Sequence, residues 1–118
     1  MAYKAEIPYG AYWSTPFARW QGAFANLNSV EFAAHVTRKE LDRRDIPVGA
    51  FDYGALGFSV PQKHSFFGLP WLSGLAGAGQ IGGPTLMQAC ATGVRVLLAG
   101  VQEIECGLAQ AALTVTCD

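Results

Sequence analysis

No formally charged side chain occurs from Ser65 to Val94, a stretch that also holds seven glycines and two prolines, Pro70 and Pro84. A segment so poor in charge must pack against apolar surface, yet one so rich in glycine cannot run as a single buried helix. Pro70, Gln80, Gly82, Gly83 and Pro84 divide it into pieces that fit a turning, packed backbone rather than a lipid-embedded helix. The chain must therefore change direction repeatedly inside its own core.

Hydrophobic spacing supplies the elements around that stretch. An extended run around Ile7 to Trp13, ending at Thr15-Pro16, is expected to form a first strand feeding a loop. Asn28 or Ser29 can cap a helix whose inner side carries Val30, Ala33, Ala34, Thr37 and Leu41, and which ends near Asp45 because Ile46 precedes Pro47. Phe51 to Val60 reads as a second strand weakened by Gly54 and Gly57. A short helix is expected from near Leu69 to Ala76, with Pro70 in its first turn. Thr85 to Ala89 then forms a short strand, Cys90 to Cys106 a long helix, and Ala109 to Thr116 a final strand.

Strands alternating with helices imply an α/β fold with parallel pairing somewhere in the sheet. Along the long helix Val94, Leu97, Leu98, Val101 and Leu108 recur on one face, with Ile104 close by. It is apolar well beyond one stripe, so burial between layers is expected. At 118 residues the chain suffices for one small domain.

Composition excludes several functions. A net charge of −1 gives no electrostatic case for nucleic acid or an anionic membrane surface. Arg38, Lys39, Glu40, Asp42, Arg43, Arg44 and Asp45 mix both signs, with Glu40 one turn from Arg44, and read as a solvated helix end. The start, Met1-Ala-Tyr-Lys-Ala-Glu, has no apolar signal core, and a cytoplasmic setting is expected. Cys90, Cys106 and Cys117 lack the spacing of a zinc knuckle or redox pair, so reduced thiols and no metal site are expected. His35 and His64 read as structural or surface residues.

Two motifs bear on chemistry. Gly77-Ala78-Gly79-Gln80-Ile81-Gly82 matches a dinucleotide-loop pattern, with Glu103 at the distance of a ribose-binding acid. Such a loop must lead directly into a helix, whereas Gly83-Pro84-Thr85 follows here, so nucleotide binding is not expected. The second motif is Pro84 to Val94, which places Cys90 where a strand-like run turns into a helix. Unpaired N–H groups at a helix start stabilise negative charge and favour a thiolate, while Ala89, Ala91 and Gly93 leave room for a substrate. A cysteine there is either a small packing residue or a nucleophile.

The order of segments resembles the amino-terminal portion of a thiolase from Tyr9 to Asp118. Ser14-Thr15-Pro16-Phe17 followed by Trp20-Gln21-Gly22 is similar to the family's opening Arg-Thr-Pro-Phe-Gly turn, and Ala89-Cys90-Ala91-Thr92-Gly93 to its Cys-Ala-Ser-Gly nucleophile turn. Ser14 stands where thiolases usually carry arginine, and Thr92 where serine is commoner. The resemblance implies the first half of a layered α-β-α-β-α fold, with a mixed sheet and a buried nucleophile helix. It also implies an acyltransferase acting on acyl-CoA or 3-ketoacyl-CoA through an acyl-cysteine at Cys90, in thiolytic cleavage or Claisen condensation.

Residues 1–118 would then be a partial domain, completed by a second polypeptide that carries the remaining catalytic residues. Such assemblies would dimerise near Thr85 to Gln88. Coenzyme A enters as substrate rather than as a tightly bound cofactor, and the residues that hold it stay open. The alternatives are a condensing enzyme of the ketoacyl synthase or hydroxymethylglutaryl-CoA synthase kind, and a non-catalytic structural partner in a thiolase-like complex.

Overall fold

The structure is a computed structural model, and it describes residues 2–118. The first helix, α1, runs over Ser29–Arg43. Asn28 caps it, its side-chain oxygen accepting the N–H groups of Val30 at 3.0 Å and Glu31 at 3.3 Å. Val30, Ala33, Ala34, Thr37 and Leu41 form its buried face, as their spacing requires.

The remaining elements are β1 (Tyr53–Gly57), α2 (Gly68–Leu75), β2 (Thr85–Leu86), α3 (Thr92–Glu105) and β3 (Ala112–Thr116). The strands lie in the order β2-β1-β3, and both pairings are parallel. A mixed sheet was expected, so among the described residues that detail is corrected.

Alternation along β1 builds the layers. Ala55 packs with Val96 and Ala99 of α3 on one face, while Leu56 and Phe58 pack with Val30 of α1 and Leu69 and Leu72 of α2 on the other. The result is three layers, α3 over the sheet over α1 and α2. Gly57 brings α3 close: a Cβ placed there would stand 2.5 Å from both Thr92 Cγ2 and Val96 Cγ2. Gly100 does the same from the helix side, opposite Thr114 Cγ2 and Ala112 Cβ of β3.

All three helices stop in the same way. The residue after the cap adopts a left-handed conformation in Asp45, Gly77 and Gly107. The next N–H then reaches back, from Ile46 to the Leu41 carbonyl, Ala78 to Ser73 and Leu108 to Glu103, at 3.0, 2.8 and 3.0 Å. Gly77 is therefore the stop of α2, and the glycine pattern it opens leads to β2 rather than to a helix. This agrees with the sequence argument against a nucleotide loop.

Several boundaries differ from expectation. Ile7 to Trp13 forms no strand, because the Ala11 N–H bonds to the Pro8 carbonyl in a turn that Gly10 completes at φ +81. β3 pairs directly with β1 instead. The second strand pairs regularly only over Tyr53–Gly57 of the expected Phe51 to Val60. The final strand starts at Ala112 rather than Ala109, since the Asp52 carboxylate accepts the Gln110 and Ala111 N–H groups and turns the chain there. Those bonds hold the Asp52 carboxyl below its ordinary value.

The mixed-charge helix end is not simply solvated. Arg44 pairs with Glu40, donates to the carbonyls of Gly10 and Tyr12, and lies 5.2 Å over the Trp13 ring. Glu105 accepts the Lys4 and Ala5 N–H groups at the other end of that segment.

The close approach at Gly57 gives the first prediction. Gly57→Ala forces a methyl into the Thr92 and Val96 side chains and is expected to destabilise the fold by about 1–3 kcal/mol, read as a lower urea midpoint at unchanged slope.

Candidate active site

The stretch from β2 to α3 contains the candidate nucleophile. The expected strand to Ala89 stops at Leu86, and the helix expected from Cys90 begins at Thr92. Between them Gln88 sits at φ −140, ψ 43 and Ala89 at φ +48, followed by a short 3-10 turn over Ala89–Ala91. A left-handed alanine costs roughly 1–2 kcal/mol, so surrounding bonds must hold it. They are the Ala91 N–H to the Gln88 carbonyl at 3.0 Å, the Gln88 N–H to Thr92 Oγ1 at 2.9 Å, and the Thr92 hydroxyl to the Ala89 carbonyl at 2.7 Å.

Cys90 stands at the apex of this turn as an exposed free thiol. Its own N–H donates to no backbone carbonyl among the described residues. No side chain caps the start of α3, and its first turn holds no acidic residue. The Thr92 N–H bonds to the Ala89 carbonyl, and the positive end of the α3 peptide dipoles lies close to the Cys90 turn with no acidic side chain to offset it.

The expected apolar face of α3 points away from the sheet. Thr92, Val96, Ala99 and Gly100 are buried, whereas Val94, Leu97 and Leu98 are exposed, Val94 to 74%. The face chosen by size and hydropathy is therefore the outer one. The sheet takes the small residues, because only they permit the observed approach.

Other candidate residues are dispersed. Cys106 caps the opposite end of α3. His35 lies on α1, in the layer across the sheet, and His64 packs edge-on against Trp71 at 5.7 Å. No cluster of three metal-binding side chains occurs among the described residues. A cavity of about 790 Å³ lies between the amino-terminal segment, α1 and β3, with Trp13, Phe24, Thr37, Thr114 and Cys117 in its wall. None of its lining residues belongs to the Cys90 turn.

Comparison with solved structures decides the fold. The crystal structure of the Bacillus anthracis acetyl-CoA acetyltransferase superposes on 80% of this chain with a TM-score of 0.72, at 20% sequence identity. The fold is thiolase-like. This chain's match spans about a quarter of the length of that thiolase, 24%. No family model matches the sequence, and no curated protein does. Among the described residues no helix of this thiolase-like unit is long and apolar enough to cross a membrane.

The sequence singles out Cys90 as a candidate but not the residues that hold its turn. Thr92 was noted only as a departure from serine, and Gly57 only as a weak point in a strand. The signal available was their chemistry: a hydroxyl two residues after the cysteine, and a glycine in a strand, which often marks close backbone approach.

The third cysteine behaves differently. Burial pushes the Cys117 thiol up to about 11, assisted by the Asp118 charge and opposed by a hydrogen bond with Ser29. At pH 8 Cys117 is expected to react with iodoacetamide roughly a hundredfold more slowly than an ordinary exposed thiol, as read by peptide mass spectrometry. The folded chain keeps this proton where the unfolded chain has lost it. Stability is therefore expected to fall as pH rises from the ordinary thiol value towards about 11.

Proposed function

We propose that this chain is the nucleophile-bearing part of a thiolase-like acyltransferase acting on acyl-CoA or 3-ketoacyl-CoA thioesters, with Cys90 as the acyl carrier. The observation that supports this reading most is the exposed Cys90 on a strained strand-to-helix turn within a thiolase-like fold. Cys90 Sγ attacks the thioester carbonyl, and the free Cys90 N–H is available to the developing oxyanion. Collapse of that intermediate breaks the carbon–sulfur bond and releases coenzyme A thiolate, or, after attack on the 3-keto carbon of a 3-ketoacyl-CoA, breaks the C2–C3 bond and releases the acetyl-CoA enolate; either way the acyl group stays on Cys90. Exchange between two thioesters is nearly thermoneutral, so the acyl group can then pass to a coenzyme A thiolate or a carbon nucleophile.

A base must take the proton from the coenzyme A thiol or the carbon acid, its conjugate acid returning one to the leaving group, and in this reading it comes from a second polypeptide. The outward apolar face of α3, with Val94, Leu97 and Leu98, offers that polypeptide a surface. The open edge of β2 offers a second copy of the assembly a strand to approach. Coenzyme A is a substrate here, and no resident cofactor is required. The three free cysteines suit a reducing, cytoplasmic setting.

Two measurements test the reading. Native mass spectrometry of the purified material is expected to show this chain bound to a second polypeptide; the chain alone, and catalytically competent, rules out the partner. With acetyl-CoA the assembly is expected to gain one acetyl group on Cys90, and Cys90→Ala to lose about 10⁴-fold or more in turnover. Unchanged turnover in that variant, with equal slow alkylation of all three cysteines, would instead mark a scaffold.

A further inference from the structure

The two branches of the Thr92 side chain do different work at the Cys90 turn. Thr92 is buried, at 6% exposure, and its Oγ1 accepts the Gln88 N–H while donating to the Ala89 carbonyl. The Thr92 N–H bonds to that same carbonyl. The Ala89 carbonyl and the Cys90 N–H belong to one planar trans peptide and point in opposite directions. Holding the carbonyl inward, against Thr92, therefore turns the Cys90 N–H outward, where it meets no backbone acceptor.

The methyl branch anchors this arrangement. Thr92 Cγ2 occupies the space that a side chain at residue 57 would need, so the absent side chain of β1 forms a socket for it. A serine at 92 would keep the hydroxyl and leave that socket partly empty. The threonine and the glycine thus tie the turn to the central strand.

We propose that Thr92 is the positioning residue for Cys90: its hydroxyl fixes the peptide plane that aims the Cys90 N–H, and its methyl locks that plane to β1 at Gly57. The functional meaning rests on the acyl-cysteine reading above, but the geometry does not. Without the hydroxyl, the Gln88 N–H and one bond to the Ala89 carbonyl are lost. Only the Ala91 and Thr92 N–H bonds then remain to hold Ala89 left-handed, and its relaxation rotates the peptide that carries the Cys90 N–H.

The test compares T92V, which keeps the shape and removes the hydroxyl, with T92S, which keeps the hydroxyl and removes the methyl. Amide resonances and hydrogen exchange report the turn, and acylation of Cys90 by acetyl-CoA in the assembly reports the chemistry. T92V is expected to speed Gln88 amide exchange by about tenfold or more, to shift the Cys90 amide resonance and to slow Cys90 acylation. T92S is expected to retain the wild-type resonance and acylation rate while melting at a lower temperature.

A folded T92V with the wild-type Cys90 resonance and acylation rate overturns the proposal. So does a T92S that behaves as T92V is expected to, and this second variant decides the matter if T92V does not fold. Should wild-type Cys90 accept no acyl group, the acyl-transfer reading fails, and the amide measurements still decide the role of Thr92.

Discussion

The contact on which this structure depends is the close approach of α3 to the sheet through Gly57 and Gly100. Thr92, Val96 and Ala99 meet Ala55 and the bare backbone of Gly57, while Gly100 lies against Ala112 and Thr114. Small side chains on both surfaces let the helix settle near the strands, where many weak dispersion contacts add up. Its start is thereby fixed relative to the end of β2. The strained Ala89 turn survives because both of its flanks are anchored, one in a strand and the other in a helix that cannot retreat.

The same constraint explains what could be read from the residues and what could not. The buried face of α1 was legible down to Thr37, because its cap, its apolar spacing and the Ile46-Pro47 stop all agree. In α3 the spacing of large apolar residues pointed to the wrong face. Hydropathy alone cannot distinguish a face that packs through small residues from one that awaits a further layer. The absent strand at Ile7 to Trp13 has a different cause: Pro8 lacks a donor, and Gly10 permits a turn that composition does not specify. Cys90 was legible as a residue. The bonds that shape its turn link residues four or fewer apart, yet depend on a threonine whose place against Gly57 is tertiary.

Polar groups attach the amino-terminal segment alongside the packing of Trp13 on Ala78, Ile81 and Leu113. Arg44 serves the carbonyls of Gly10 and Tyr12 and the ring of Trp13, and Glu105 the N–H groups of Lys4 and Ala5. A charged cluster that looks like surface decoration thus has an architectural role, because an arginine fork can bind several backbone carbonyls at once.

The outer margin of β3 carries a consequence for handling the molecule. Ala112-Leu-Thr-Val-Thr is uncharged, contains no proline, and is paired on one side only among the described residues. Such a ribbon carries neither charge nor proline, two of the guards that usually discourage sheets from growing sideways. The segment of this chain nearest to that ribbon is the amino-terminal one, which shares a cavity wall with Thr114, Val115 and Thr116, so trimming it would lay the backbone of β3 more open to sideways pairing.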